Sequence, residues 1–191
     1  NFIEQTAAEV VFSNYNELYC GKLNKIVHSK SRNKMVAFGD LDALEQFKFL
    51  LFGNILVSST CFVKSSILKN NKYDENYTLL EDYPMWLKLL EQGIKFFYMD
   101  KCTVLYRKAN SVSSNNVVLF PVYYTNQCRR FFYNYQYDQI KKYELKEAYQ
   151  RNRRYYFWFD LCEVLLRNKR NIFSMPLCKM FKYIVFSIVR F

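Results

Sequence analysis

The sequence predicts an α/β domain over residues 1–116, followed by an α-helical appendage over residues 117–191. Strand patterns and helix patterns alternate in the first part, whereas the second part contains helix patterns alone. The chain has 191 residues, the length of one ordinary domain, and 51% of them are apolar. This composition predicts a folded globular chain and excludes disorder and collagen-like organisation.

The first elements are predicted by β-branched and aromatic content. A strand is predicted over residues 9–15 and a returning strand over 25–28, with a polar loop over 29–34. A helix pattern then runs from Leu41 to Leu51, where Gly53 is placed to end it.

Asp40-Leu41-Asp42 matches the DxD pattern in which two carboxylates hold a divalent ion against a nucleotide diphosphate. The motif directly precedes the helix pattern, and Asp is favoured both as an N-cap and in a first helical turn. We therefore favour a structural interpretation, with Asp40 as the N-cap and Asp42 as a first-turn acid.

Further elements are predicted between residues 55 and 106: a strand over 55–62, a short helix over 64–69, and strands over 95–99 and 103–106. Between them, Thr78-Leu79-Leu80-Glu81 has the spacing of a capping box. It predicts a helix that runs to about Gln92 and ends at Gly93.

Glu81 and Asp82 form the most informative acidic pair. Adjacent residues of a helix point about 100° apart, so the two carboxylates do not face each other as a glycosidase pair does. Glu81 has a predicted role in the capping box, whereas Asp82 has none. The helix N-terminus favours an ionised Asp82, which suits a general base at neutral pH.

Four motifs in order resemble the acceptor-side half of family 2 glycosyltransferases, which are inverting enzymes with the GT-A fold. They are Asn54-Ile55-Leu56-Val57-Ser58-Ser59 leading to Lys64, Asn71-Lys72-Tyr73-Asp74-Glu75, Glu81-Asp82-Tyr83-Pro84-Met85-Trp86-Leu87-Lys88-Leu89, and Tyr106-Arg107 followed by Ser111-Val112-Ser113. The resemblance covers about 60 residues, from Gly53 to Ser113.

This resemblance implies the C-terminal part of a GT-A domain, with a mixed sheet contributed by residues 9–15, 55–62 and 95–106. It implies that Asp82 is the general base. The residues that it places at the substrates are Glu81, Trp86, Ser58, Ser59 and Arg107. Arg107, together with Lys108, could receive the leaving diphosphate, although a surface ion pair is an equally good interpretation of Arg107.

The resemblance also implies cofactors and partners. The expected partners are a nucleotide-sugar donor and a glycan or lipid-linked acceptor, in surface polysaccharide assembly. A divalent metal, Mg or Mn, is expected for the complete enzyme, with its main ligands and the nucleotide-binding half N-terminal to this chain, so the chain alone is expected to be inactive. The His that often follows "Y-R" in the family is replaced here by Lys108-Ala109-Asn110.

The net charge of +11 is concentrated in residues 117–191, which carry +9. A helix pattern with a wide apolar face ends this region. It predicts peripheral contact of residues 172–191 with an anionic membrane, on the cytoplasmic face, with packing on the protein's own core as an equal alternative.

Two rival functions stay open. Arginines interleaved with aromatic residues in the C-terminal third could bind nucleic acid, but no nucleic-acid motif accompanies them, so no such partner is expected. A non-catalytic remnant of the family is the other rival. The six cysteines form no CxxC pair, and the single His28 cannot complete a zinc set. They predict reduced thiols in a cytosolic protein.

Overall fold

The computed structural model describes residues 2–19, 25–28, 31–107, 119–154 and 156. The chain divides into two compact units, Asn1–Gln139 and Ile140–Phe191. The first unit therefore extends beyond residue 116, where the sequence analysis placed the boundary.

A mixed four-stranded sheet organises the first unit. Its strands are β1 (Val10–Tyr19), β2 (Lys25–His28), β3 (Cys61–Val63) and β4 (Phe96–Arg107). β4 runs parallel to β1 along one edge, while β3 and β2 pair antiparallel with successive parts of β1 along its other edge. The predicted α/β class, with a mixed sheet, is confirmed.

The start of β1 is the centre of the core. Val10, Val11 and Phe12 are at most 2% exposed, as expected for a strand covered on both faces. Opposite the middle of β1, β4 contains extra residues: Ser13 pairs with Met99, but Asn14 already pairs with Cys102. The two strands predicted over 95–99 and 103–106 are therefore one strand interrupted by a β-bulge.

The other elements among the described residues are helical. They are α1 (Phe2–Thr6), α2 (Arg32–Asp40), α3 (Ala43–Leu50), α4 (Ser65–Asn70), α5 (Asp82–Glu91), α6 (Leu119–Phe131), a π-helical turn (Phe132–Gln136) and α7 (Tyr137–Lys142). In the second unit, residues 146–154 are also helical, and Ile140, Ala148 and Tyr156 are buried.

The DxD segment belongs to two helices. Asp40 is the last residue of α2, and Asp42 is the N-cap of α3, because its carboxylate accepts a hydrogen bond from the Glu45 N–H at 2.9 Å. The prediction that this motif begins a helix is correct, but the N-cap is Asp42 and not Asp40. The polar loop predicted over 29–34 is also wrong from Arg32 onward, since burial of Met35 and Phe38 supports a helix there.

Residues 55–60 do not form the predicted strand. The Asn54 Oδ1 accepts the Leu56 N–H at 2.9 Å, and Ser58–Thr60 forms a 3₁₀ turn closed by the Thr60 N–H on the Val57 carbonyl. These local hydrogen bonds replace a sheet ladder, so the strand is limited to Cys61–Val63.

The capping box predicted at Thr78 and Glu81 is absent, although helix α5 is present. Glu81 has helical backbone angles and makes no side-chain cap hydrogen bond. The Gln127 side chain instead binds the turn before the helix, donating to the Thr78 hydroxyl at 3.1 Å and accepting the Leu79 N–H at 3.0 Å. The predicted end at Gly93 is correct, because the Gly93 and Ile94 N–H groups close a Schellman motif at a φ of +82°.

A buried glutamine joins α3 to the start of β4. Gln46 is fully buried, and its amide donates to the Phe38 carbonyl at 2.9 Å and to the Phe96 carbonyl at 2.7 Å. Its Oε1 accepts the Phe96 N–H at 2.9 Å. The side chain thus pairs with the backbone N–H and carbonyl of Phe96, which would otherwise need a neighbouring strand as their partner.

Helix α2 approaches β4 so closely that Gly39 is required. A Cβ at this position would lie 2.5 Å from the Tyr98 Cβ, which cannot move without the backbone of the strand. We expect Gly39→Ala to lower the free energy of unfolding by about 1–2 kcal/mol, because overpacking outweighs the gain in helix propensity. Urea unfolding measures this effect. Ala37→Ser on the exposed face of α2 is the control, with an expected loss below about 0.5 kcal/mol.

Candidate functional site

The position of helix α5 is determined by buried contacts of its first two turns. The Tyr83 hydroxyl donates to the Leu50 carbonyl and accepts a hydrogen bond from the Gln136 side chain at 2.6 Å. Trp86, only 2% exposed, packs edge-on against Phe96 with ring centroids 5.7 Å apart. These contacts hold Asp82, the first residue of α5, in a defined place.

The Asp82 carboxylate lies at the N-terminus of α5 and faces an asparagine side chain. The Asn54 Nδ2 is 3.5 Å from the Asp82 Oδ2. Because the Asn54 Oδ1 is already occupied by the Leu56 N–H, the amide presents its NH₂ end to the carboxylate. The Tyr83 backbone N–H, which donates to the Leu80 carbonyl at 3.1 Å, also lowers the pKa of the carboxyl group. Both donors favour the ionised form.

Burial nevertheless dominates the electrostatics of this carboxyl group. Removal from water, and then the neighbouring charge of Glu81, raise the pKa of Asp82 to about 6, against the smaller lowering effect of the Tyr83 and Asn54 hydrogen bonds. At pH 7 such a group is roughly nine-tenths ionised. It can therefore accept a proton, and it is a stronger base than an ordinary aspartate.

Two thiols lie within electrostatic range of Asp82. Burial raises the pKa of Cys61 to about 12 and that of Cys128 to about 11, and the Asp82 charge adds to both shifts. Both thiols stay protonated at neutral pH, so neither is suited to nucleophilic chemistry. The pKa of Tyr73 is also raised, by burial and by the charges of Asp82 and Glu81.

The structure brings together only some of the residues that the resemblance placed at the substrates. Glu81 is exposed beside Asp82, and Ser58 and Ser59 are exposed on the turn between Asn54 and Cys61. Trp86 is a core residue, so its ring has no surface to offer a substrate.

Arg107 lies well away from this group. It is exposed at the end of β4, where it pairs in register with Leu18, whereas Cys61 pairs with Phe12. Phe12 and Leu18 are six residues apart along β1, so Cys61 and Arg107 lie at positions about 20 Å apart along this strand. Lys108 and residues 172–191 lie outside the described residues.

Sequence reasoning missed four contributors to this site: Asn54, Cys61, Tyr73 and Cys128. Asn54 and Tyr73 are part of motifs that the sequence analysis quoted, and an Asn directly before an apolar strand pattern is a usable turn signal. Cys128 comes from α6, 46 positions after Asp82, and no local pattern predicts its arrival.

The described part of the chain does not supply a metal site. In residues 2–19, 25–28, 31–107, 119–154 and 156, no three or more His, Cys, Asp or Glu side chains are grouped to hold an ion. Asp40 and Asp42 serve the end of one helix and the start of the next. The Mg or Mn ion stays an expectation for the complete enzyme, whose main ligands the resemblance places N-terminal to this chain.

The basic residues that the structure describes occupy both units. Arg129 and Arg130 stand in the last turn of α6, where cations complement the helix dipole. In the second unit, the Arg153 guanidinium lies 6.0 Å from the Tyr149 ring centroid. No helix among the described residues is both long and apolar enough to cross a membrane.

Comparison with known proteins found no matching family model, no matching curated protein and no matching solved structure.

Proposed function

We propose that this chain is the acceptor-side part of an inverting glycosyltransferase. The enzyme would transfer a sugar from a nucleotide-sugar to a glycan or lipid-linked acceptor in surface polysaccharide assembly. The observation that carries the proposal is the Asp82 carboxyl group, half-buried at the start of α5 with a pKa of about 6. A general base works best when its pKa lies near the working pH.

The proposed reaction is a single displacement. The Asp82 carboxylate takes the proton of an acceptor hydroxyl while that oxygen forms a bond to the anomeric carbon of the donor. The bond from the anomeric carbon to the phosphate oxygen breaks, and the nucleoside diphosphate leaves with the electron pair. Attack from the side opposite the leaving group inverts the anomeric configuration.

The neighbours of Asp82 support this role. The Asn54 amide, 3.5 Å from one carboxylate oxygen, favours one orientation of the base before the acceptor arrives. The thiols of Cys61 and Cys128 are protonated at neutral pH, so neither competes with Asp82 for the acceptor proton. Arg107 pairs at a level of β1 about 20 Å from that of Cys61, so we assign it no part in the step at Asp82.

The mixed sheet is consistent with the α/β class of the proposed enzyme. Three of its four strands overlap the segments that the resemblance implied, although residues 55–60 form no strand, and the sheet combines parallel with antiparallel pairing. Such a sheet occurs in many α/β proteins, so the weight of the proposal rests on Asp82 and not on the fold.

A transfer assay with the whole protein that carries this chain tests the proposal. Radiolabelled uridine, guanosine and thymidine diphosphate sugars would be offered with membrane lipid extracts and with methyl glycosides as acceptors. We expect transfer from at least one donor, with inversion at the anomeric carbon of the product. Retention of configuration, or no transfer from any donor, would contradict the proposal.

A further inference from the structure

The carbonyl of Leu50, at the end of α3, accepts hydrogen bonds that join separate segments of the first unit. The Gly53 N–H donates to it at 2.8 Å and closes the turn after the helix. The Tyr83 hydroxyl, from the first turn of α5, also donates to it. The same carbonyl therefore fixes both the turn that leads to Asn54 and the helix start that carries Asp82.

The turn after α3 presents the Asn54 side chain to Asp82. Gly53 has a φ of +140°, in a region of backbone conformation that favours glycine. The Asn54 Oδ1 then accepts the Leu56 N–H at 2.9 Å, and its Nδ2 lies 3.5 Å from the Asp82 Oδ2. This distance is long for a hydrogen bond, so a small displacement of either segment would remove the contact.

A buried glutamine also binds the Tyr83 hydroxyl. Gln136 is the last residue of the π-helical turn and is 3% exposed, and its Nε2 donates to the hydroxyl oxygen at 2.6 Å. The Tyr83 ring is equally buried and packs edge-on against Phe131, with ring centroids 5.4 Å apart. The hydroxyl thus donates and accepts away from water, where loss of one partner leaves the other unpaired.

The titratable groups that interact electrostatically with Asp82 come from separate segments. The charge of Glu81, the preceding residue, raises the pKa of Asp82. Cys61 from β3 and Cys128 from α6 are protonated at neutral pH, and so is Tyr73 from the loop after α4, because its pKa is raised above the ordinary value. The asparagine amide of the turn after α3 is the side-chain donor that lowers the pKa of Asp82.

We propose that Tyr83 and Gln136 are positioning residues that hold this amide donor at the Asp82 carboxylate. The inference rests on the proposed function, because it concerns the base of that reaction. Asp82 directly precedes Tyr83 in the chain. Asn54 lies four residues after Leu50, on the turn that the Leu50 carbonyl closes. The hydrogen bond from Tyr83 to Leu50 therefore sets the spacing between the carboxylate and the amide, which favours the ionised base.

Carbon-13 NMR of the aspartate carboxyl groups of the whole protein, followed between pH 4 and pH 8, tests this link. The Asp82 signal is identified by its absence from Asp82→Asn. Tyr83→Phe keeps the ring and removes the hydroxyl, so it is expected to raise the pKa of Asp82 by about 0.5, as Asn54→Ala should. The double variant should show no further rise, because both substitutions remove the same donor from the carboxylate.

Tyr135→Phe is the matched control, because it removes a tyrosine hydroxyl bound to the other end of α5. That hydroxyl donates to the carboxylate of Glu91, the last residue of the helix, at 3.0 Å. The pKa of Asp82 should keep its wild-type value in this variant. Gln136→Leu leaves Tyr83 in place and should raise the pKa by a smaller amount. It decides the link if Tyr83→Phe does not fold.

Transfer kinetics give a second measurement, which a tyrosine that only supports the fold would not change. The pKa of Asp82 is about 6 in the wild type, so a rise of about 0.5 halves the ionised fraction at pH 6 and hardly alters it at pH 8. The loss of kcat/KM in Tyr83→Phe should therefore be about twofold larger at pH 6 than at pH 8. In Tyr135→Phe, kcat/KM should match the wild type at both pH values.

The outcomes separate this inference from the proposed function. If transfer occurs but Tyr83→Phe and Gln136→Leu leave the pKa of Asp82 unchanged, or Tyr135→Phe raises it equally, the link is wrong and the transferase proposal stands. A rise from Tyr83→Phe that persists at full size in the Asn54→Ala protein would also overturn the link. If no donor supports transfer, the transferase proposal is wrong, and the NMR titration alone decides whether the Tyr83 hydroxyl holds the amide at Asp82.

Discussion

Replacement of Asp82 by asparagine is expected to lower sugar transfer by the whole protein by about 10²–10⁴-fold, the range typical of a lost general base. Asparagine keeps the size of the side chain and its place at the start of α5, but it cannot take the acceptor proton. The loss should appear in kcat. The donor KM should change little, because the base contacts the acceptor and not the nucleotide.

The pH profile distinguishes a base from a residue that merely supports the fold. In the wild type, kcat/KM should fall as the pH drops through about 6, where Asp82 becomes protonated. Glu81→Gln removes the charge that helps to raise the pKa of Asp82, so this limb should move to lower pH while kcat at pH 7.5 stays near wild type. If Asp82→Asn left turnover intact and Glu81→Gln abolished it, the two roles would be reversed.

The same substitution is expected to stabilise the chain at neutral pH. The folded pKa of Asp82 is about 6, raised from an ordinary value of 3.8, so folding favours the protonated carboxyl. Well below pH 3.8 the group is protonated in both states and costs nothing. As the pH rises from about 4 through 6, stability is lost, by about 2–3 kcal/mol in total for a shift of this size. Asp82→Asn removes this cost.

Urea unfolding of the wild-type and Asp82→Asn chains between pH 4 and pH 8 measures the effect. The variant's advantage should be small at pH 4 and reach its full value above about pH 7. Asn54→Ala is the control for the cause, because loss of its amide donor should steepen the pH dependence of the wild type. In the Asp82→Asn chain, Asn54→Ala should have no pH-dependent effect. An Asp82→Asn chain that is less stable than wild type at every pH would show that the carboxylate stabilises the fold.

The activity result and the stability result for Asp82→Asn together distinguish a catalytic aspartate from a structural one. A residue whose ionised form costs stability, and whose replacement removes activity, is retained for chemistry and not for folding. A purely structural acid at a helix start should show the opposite sign in the stability measurement, since the helix dipole favours its charge.

Elements whose energetics are local were predictable from the sequence. The end of α5 at Gly93 depends on hydrogen bonds within six residues, and a Schellman motif needs only a glycine at the right position. The strand over 9–15 and the helix over 64–69 likewise follow from residues that are close together in the chain. The position of Asp82 near the start of a helix was also predictable from neighbouring residues.

The tertiary structure decided the remaining features, because they depend on partners that are far apart in sequence. Where the sequence predicted a capping box, Gln127 hydrogen-bonds Thr78 from 49 positions away in the chain. Gln46 likewise accepts the backbone N–H of Phe96, 50 positions away, at the start of β4. The pKa of Asp82 is raised mainly by burial, and its asparagine neighbour Asn54 lies 28 positions earlier in the chain, so the window of sequence around Asp82 contains only the smaller raising effect of Glu81. The sequence alone therefore determined which carboxylate begins the helix, whereas only packing determined that this carboxylate is desolvated enough to serve as a base.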